Sequence, residues 1–177
     1  LEAKLTNGNS QILIAVKSGK CIRFEENKTR PMGRNASGVR GVRLKDQKDE
    51  VVGMISVNDM DSDILVVSEN GYGKRSKLED YRITNRGGKG VKTISITEKT
   101  GTLVSLKNVS DGDDLMIINK SGIAIRMEVN TLRVMGRATQ GVRLINIKDN
   151  DSIAAVAKVV LDDQEVTDIE EIDVVED

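Results

Sequence analysis

Four basic residues at fixed intervals occur three times in this sequence. Arg23, Arg30, Arg34 and Arg40 form one set, Arg75, Arg82, Arg86 and Lys92 a second, and Arg126, Arg133, Arg137 and Arg143 a third. The intervals are 7, 4 and 6 residues in every set, and Gly-Val stands before the last base each time (Gly38-Val39, Gly90-Val91, Gly141-Val142). The sets begin 52 and 51 residues apart, counted from Arg23 to Arg75 to Arg126. The chemistry open to such a pattern is anion binding, because a guanidinium forks onto two phosphate oxygens and keeps its charge at any ordinary pH. The middle bases stand in glycine-containing loops, Met32-Gly33-Arg34, Arg86-Gly87-Gly88-Lys89-Gly90 and Met135-Gly136-Arg137. Glycine there lets a phosphate come close to the backbone. Repeated along a fold, the sets make a continuous positive track, and duplex DNA, with one charge per ~1.7 Å of axis, is the matching ligand.

The expected DNA-binding residues are therefore Arg30, Arg34, Arg40, Arg43, Lys74, Arg82, Arg86, Lys89, Lys92, Arg133, Arg137 and Arg143. Arg23, Arg75 and Arg126 are expected to be structural or mixed. Arg23 and Arg126 alternate with apolar neighbours (Ile22 and Phe24, Ile125 and Met127), and charged side chains beside a core are usually paired. Glu25, Glu79, Asp80 and Glu128 are the candidate partners. On this division the loop bases serve DNA and the strand bases serve stability.

Other chemistry is poorly supplied. The chain has no histidine, which removes Ser-His-Asp and Cys-His catalysis and His-ligated zinc. The solitary Cys21 makes no internal disulfide and fits a reducing, cytoplasmic setting. No metal or cofactor is expected on this chain. Only Phe24, Tyr72 and Tyr81 are aromatic, too few for the stacking ladders of single-strand and RNA binders. No recognition helix is evident, so the expectation is backbone-directed, sequence-independent contact with bent duplex. The net charge of −1 is the sum of two unlike parts: residues 161–177 hold nine acids and no base, leaving 28 − 9 = 19 acids against 27 bases, or +8, on the rest. Such an acidic tail is expected to compete with DNA for the basic body.

Positioning these bases requires short strands. Ile12–Val16, Ile64–Val67 and Leu115–Ile118 are β-rich apolar runs, each soon followed by a turn pair, Ser18-Gly19, Asn70-Gly71 or Ser121-Gly122. A second strand follows each turn, and each copy closes with a further apolar stretch at 51–57, 103–106 or 153–159. Four strand-like runs per unit predict an all-β, propeller-like array of four-stranded blades, with repeats at 11–62, 63–113 and 114–160. Residues 1–10 are expected to end a preceding blade, because Leu1, Ala3 and Leu5 alternate with Glu2 and Lys4. Residues 161–177 form the tail.

Several strings carry a family resemblance. Tyr72-Gly73-Lys74-Arg75, Tyr81-Arg82-Ile83-Thr84-Asn85-Arg86-Gly87-Gly88-Lys89-Gly90-Val91, and Arg30-Pro31-Met32-Gly33-Arg34 through Gly38-Val39-Arg40-Gly41 closely resemble the C-terminal domain of DNA gyrase A, over residues 1–160. The resemblance implies a β-pinwheel whose blades exchange strands and whose basic rim wraps duplex DNA, three blades being half of a six-bladed disc. It further implies a non-catalytic part of a type IIA topoisomerase, working with the rest of gyrase A and with gyrase B in an A2B2 enzyme that carries ATP and Mg elsewhere and introduces negative supercoils in the bacterial cytoplasm. The family's box motif, Gln-Arg/Lys-Arg-Gly-Gly-Arg/Lys-Gly, is matched by Thr84–Gly90 at five of seven positions, failing at Thr84 and Asn85. The loop Arg86, Gly87, Gly88, Lys89 and Gly90 is thus box-like. The C-terminal domain of topoisomerase IV and a protein-binding β-propeller are the other readings.

Overall fold

The computed structural model describes residues 2–148 and 151–159, and the acidic tail at 161–177 lies outside them. Among the described residues there is no α-helix, only strands, turns and short 3-10 segments. Each repeat starts with a hairpin: β1 (Gln11–Val16) with β2 (Lys20–Glu25), β4 (Asp63–Ser68) with β5 (Tyr72–Lys77), and β8 (Asp114–Asn119) with β9 (Ala124–Glu128). The turn glycines Gly19, Gly71 and Gly122 have φ of +79°, +77° and +87°, the left-handed region that a tight hairpin demands and that a Cβ opposes.

A longer strand pairs antiparallel on the far side of each hairpin's first strand. These are β3 (Val51–Val57) on β1, β7 (Leu103–Val109) on β4, and β11 (Ile153–Val159) on β8. The pairing register shifts near the same end of each ladder, at Ala15/Val16, Val67/Ser68 and Ile153/Ala155. A bulge there bends the strand and increases its twist, so the three sheets share one shape.

The fourth strand of a sheet comes from the next repeat. β6 (Val91–Lys92) pairs with β2 of the first repeat, Lys92 opposite Lys20 and Val91 opposite Cys21. β10 (Val142–Arg143) pairs with β5 of the second, Arg143 opposite Tyr72 and Val142 opposite Gly73. Sheet orders are β3-β1-β2-β6, β7-β4-β5-β10 and β11-β8-β9, so the third sheet has no fourth strand among the described residues.

The core lies between sheets. Leu13, Ala15, Cys21, Ile55 and Val57 of the first repeat pack with Ile64, Val66, Leu78, Tyr81, Ile94, Leu103 and Leu106 of the second. The opposite face of β4, Leu65 and Val67, packs with Leu115, Ile117, Val129, Leu132 and Ile145 of the third. The middle sheet is therefore apolar on both faces, which is why β4 reads as a continuous apolar run instead of alternating. Each such Leu, Ile or Val contributes about 1.5–3 kcal/mol by leaving water, so most of the stabilisation sits at the inter-repeat faces. By contrast β9 shows an alternation of exposed and half-buried residues, because no further sheet among the described residues covers it.

Residues 2–5, expected as a strand, pair with no sheet among the described residues, and Leu5 is fully exposed. Alternation alone does not make a strand without a neighbouring edge to satisfy its backbone. A carboxylate oxygen of Glu2 instead accepts a hydrogen bond from Met54 N at 2.7 Å, at the outer edge of the first sheet.

Candidate nucleic-acid interface

The recurrent Gly-Val-base triplets have a local cause. Gly90 has φ of +68°, and a Cβ on it would lie 2.5 Å from the carbonyl oxygen of Cys21. Gly141, at φ +80°, stands in the same relation to the carbonyl of Gly73. Only glycine lets the chain approach the neighbouring sheet this closely and enter as its fourth strand. The valine that follows is half-buried, and the base after it (Lys92 or Arg143) is exposed. Sheet exchange therefore fixes a base of one repeat on the edge of the repeat before it.

The glycine loop is pinned at the same junction. Arg86 donates from Nε to the carbonyl of Lys28 at 2.9 Å and from Nη1 to that of Arg40 at 3.2 Å. Gly87 N donates to Gly41 O at 2.6 Å, and Arg43 N donates to Gly88 O at 2.8 Å. One repeat later Arg137 Nη1 donates to Lys92 O at 2.8 Å. The structure thus brings Arg40 and Arg43 of the first repeat beside Arg86–Lys89 of the second, and Lys92 of the second beside Arg137 of the third.

Arg30, Arg34, Arg40, Arg43, Arg82, Lys89, Lys92, Arg133 and Arg143 are all exposed, and Arg86 and Arg137 are half-buried. Among the described residues none of these eleven bases forms an ion pair with a carboxylate. Among the described residues, positive charge at the junctions has no carboxylate partner, a condition that raises the local concentration of a polyanion.

Two expectations are corrected here. Lys74, counted among the DNA-binding bases, is 1% exposed and donates from Nζ to Gly136 O at 2.5 Å. It lies on β5, both faces of which are covered, and burial lowers its pKa to about 8. Lys74 belongs to the contact between repeats. The division of loop bases for DNA and strand bases for stability also fails for Arg86 and Arg137, whose guanidiniums hold carbonyls of the preceding repeat, those of Arg40 and Lys92 among them.

Two of the three strand arginines, Arg23 and Arg75, bridge repeats, chiefly through backbone carbonyls. Arg23, 8% exposed, donates from Nε to Gln11 Oε1 at 2.6 Å and from Nη1 to the carbonyls of Leu78 at 2.7 Å and Tyr81 at 2.9 Å. Desolvation pushes its pKa below the usual guanidinium range. Arg75 donates from Nε to Leu132 O at 2.5 Å, and Nη1 reaches Asp111 and, at 3.5 Å, Asp63. Arg126, on the uncovered β9, is half-exposed and pairs with Asp114 of its own hairpin at 2.6 Å. The acids expected as partners, Glu25, Glu79, Asp80 and Glu128, pair with none of the three.

Sequence reasoning passed over Lys20 and Lys99. Lys20 lies opposite Lys92 in the ladder, and its position directly after the Ser18-Gly19 turn was the available signal. Lys99 lies over the Tyr72 ring with Nζ 5.3 Å from the centroid, and Arg143 lies over that ring at 5.4 Å. Arg143 also donates to the Tyr72 hydroxyl at 2.8 Å, and this hydrogen bond holds the phenol below its ordinary pKa. Tyr81 is buried, its hydroxyl 2.5 Å from Thr93 Oγ1, and burial raises its pKa. The Cys21 thiol is buried and pushed up to about 12, which leaves it unreactive.

Known proteins share this repeat and this fold. The family model described as "DNA gyrase C-terminal domain, beta-propeller" matches residues 11–58, 62–110 and 113–159, and each match runs from the first hairpin strand of a repeat to its last strand. The chain is 45% identical over 179 residues to the DNA gyrase A subunit of Staphylococcus aureus (strain MRSA252), covering 100% of this chain and 20% of that protein. It is also 45% identical over 173 residues to the protein of that name from strain NCTC 8325 / PS 47, covering 97% of this chain and 19% of that one. Among solved structures, a DNA gyrase A C-terminal domain superposes with a TM-score of 0.77 at 28% identity, covering 86% of this chain and 51% of that one. The C-terminal domain of DNA topoisomerase IV superposes with a TM-score of 0.83 at 22% identity, covering 89% and 49%, which supports the fold alone. The chain spans about a fifth of the length of the curated relatives it matches.

Proposed function

This chain belongs to the DNA gyrase C-terminal domain, beta-propeller family, and from that premise we propose that it binds duplex DNA along its inter-repeat ridge and wraps it. The observation that carries this reading is the row of exposed bases, free of carboxylate partners among the described residues, that strand exchange brings together at successive repeat junctions. Binding is through phosphates, so it depends on salt and hardly on sequence. Contacts from bases fixed on consecutive sheets of a curved array hold the duplex in a bend. The binding residues are Arg30, Arg34, Arg40, Arg43, Arg82, Lys89, Lys92, Arg133 and Arg143, with Arg86 and Arg137 both anchoring the ridge and adding to its charge.

The chain's role is mechanical. In the full enzyme it serves an ATP-dependent topoisomerase whose DNA-cleaving residues, ATP and Mg lie in other parts of gyrase A and in gyrase B, within an A2B2 assembly on the bacterial nucleoid. The 45% identity to gyrase A favours negative supercoiling over the topoisomerase IV reading.

The test is topological. Nicked circular DNA is resealed by ligase in the presence of increasing amounts of the chain, and its linking number is read after the protein is removed. Wrapping shifts the distribution in proportion to bound chain, and unrelated linear duplex abolishes the shift by competition. An unshifted distribution at saturating chain contradicts wrapping. If linear duplex fails to compete, the basic ridge serves a partner other than DNA.

A further inference from the structure

Each basic set contains an apolar residue that the phosphate-binding reading does not use. It directly follows the second base: Pro31 after Arg30, Ile83 after Arg82, Val134 after Arg133. Pro31 is the only proline in the chain. Ile83 is 48% exposed and Val134 40%, and Pro31 is exposed as well. The other large exposed hydrophobics among the described residues, Leu5, Leu44, Val51, Met60 and Ile123, do not recur at equivalent positions. A single exposed apolar side chain is ordinary. The same exposure at the same place in successive repeats, each time beside an exposed arginine, is a patterned feature.

The backbone carrying Ile83 and Val134 is fixed. Ile83 forms an isolated parallel bridge with Arg23, and Thr84 N donates to Arg23 O at 2.8 Å. Val134 forms the same bridge with Arg75, and Met135 N donates to Arg75 O at 2.9 Å. Just upstream, the buried guanidinium of Arg23 holds the carbonyls of Leu78 and Tyr81, and that of Arg75 holds Leu132. Ile83 and Val134 are therefore each clamped to the preceding sheet by a buried arginine's side chain and by its backbone.

We propose that Pro31, Ile83 and Val134 are wedges that press between base steps of the bound duplex and kink it at each repeat. This inference rests on the proposed binding of DNA to the ridge. An apolar side chain gains nothing from a phosphate. On a surface rimmed by arginines that have no carboxylate partner among the described residues, its favourable contact is with the apolar faces of stacked bases, reached through the minor groove while the neighbouring guanidiniums hold the flanking phosphates. A rigid knob is required, since a mobile side chain would fold back before it opened a step. The division of labour is then explicit: Arg82 and Arg133 supply affinity, and Ile83 and Val134 convert part of it into bend.

The experiment measures affinity and bend separately on a duplex labelled at both ends with a fluorescence donor and acceptor. The parent, Ile83→Ser/Val134→Ser, Ile83→Leu/Val134→Leu and Arg82→Ala/Arg133→Ala are titrated over a salt series, and energy transfer is read at saturation. The serine variant is expected to keep the parent's salt slope and melting temperature and to lose most of its energy transfer, and the leucine variant to retain it. The alanine variant is expected to show a shallower salt slope and to keep energy transfer once saturated. Parent-like energy transfer in the saturated serine variant overturns the wedge while leaving phosphate binding intact. Failure of the parent to bind the duplex at low salt overturns both readings.

Discussion

Replacing Arg75 by alanine tests whether the buried arginines hold the repeats together. Its side chain is 10% exposed and spans the boundary between the second and third repeats. Truncation leaves the Leu132 carbonyl without its donor, a loss of about 1–3 kcal/mol for a buried acceptor. Asp63, whose side chain is 6% exposed, loses a cation at 3.5 Å but keeps Lys77 at 3.0 Å. The full cost of breaking a buried pair, about 3–5 kcal/mol, is therefore only partly incurred. Asp111 is 76% exposed, so solvent screens its pairing and its loss adds little. Together these place the loss at roughly 2–4 kcal/mol, or about 5–15 °C in melting temperature for a chain of this size. Arg126→Ala is the control. That side chain is 50% exposed and bonds Asp114 within its own hairpin, so its loss is about 1 kcal/mol. The assay is thermal and urea unfolding of the two variants beside the parent. Equal, small shifts for both would refute the assignment of Arg75 to the joint between repeats.

Lys74→Met bears on the same joint through pH. The lysine's folded pKa of about 8 lies below its ordinary 10.5, so between those values the unfolded chain binds the extra proton and stability rises with pH. The variant is expected to lose that rise in unfolding curves taken from pH 7.5 to 10.5, and a variant whose slope matches the parent contradicts the burial of a charged ammonium there. Gly90→Ala is expected to cost about 2–4 kcal/mol, from its positive φ and the overlap with Cys21 O. Gly38→Ala, at φ +78° with open space around it, is expected to cost only about 1 kcal/mol. Similar melting shifts for both would contradict the exchange of β6 onto the first sheet. Arg86→Ala/Arg137→Ala is expected to lower both melting temperature and affinity for duplex, whereas Arg34→Ala/Arg133→Ala lowers affinity alone. Unfolding and mobility-shift titrations of the two pairs distinguish these outcomes.

The hairpins were legible because a short apolar run, a turn glycine and a second run are all local signals, and the three copies reinforced one another. The exchange of β6 and β10 was accessible only through the family resemblance. Those strands are two residues long, and their partners lie in another repeat. The spacing of the bases pointed to a ridge, but not to which bases reach it. Lys74 and Arg75 stand side by side on β5, and alternation would turn one of them to solvent. The second sheet is covered on both faces, so both are buried. The anchoring by Arg86 and Arg137 was invisible for a different reason: their acceptors are backbone carbonyls, which exist at every position and leave no mark in the sequence. The alternation at residues 2–5 has no partner strand among the described residues, because the edge it would need is not a local property of those residues.

The central claim is that this fold presents its bases to the phosphates of a duplex. It is tested most directly by titrating a labelled duplex of arbitrary sequence with the chain across a salt series and following anisotropy. With ~4–8 phosphates engaged, the logarithm of the association constant is expected to fall linearly against the logarithm of salt concentration, with a slope of about −4 to −7. A second duplex of unrelated sequence is expected to give the same line. A flat response to salt, or binding confined to one of the two sequences, would contradict the claim.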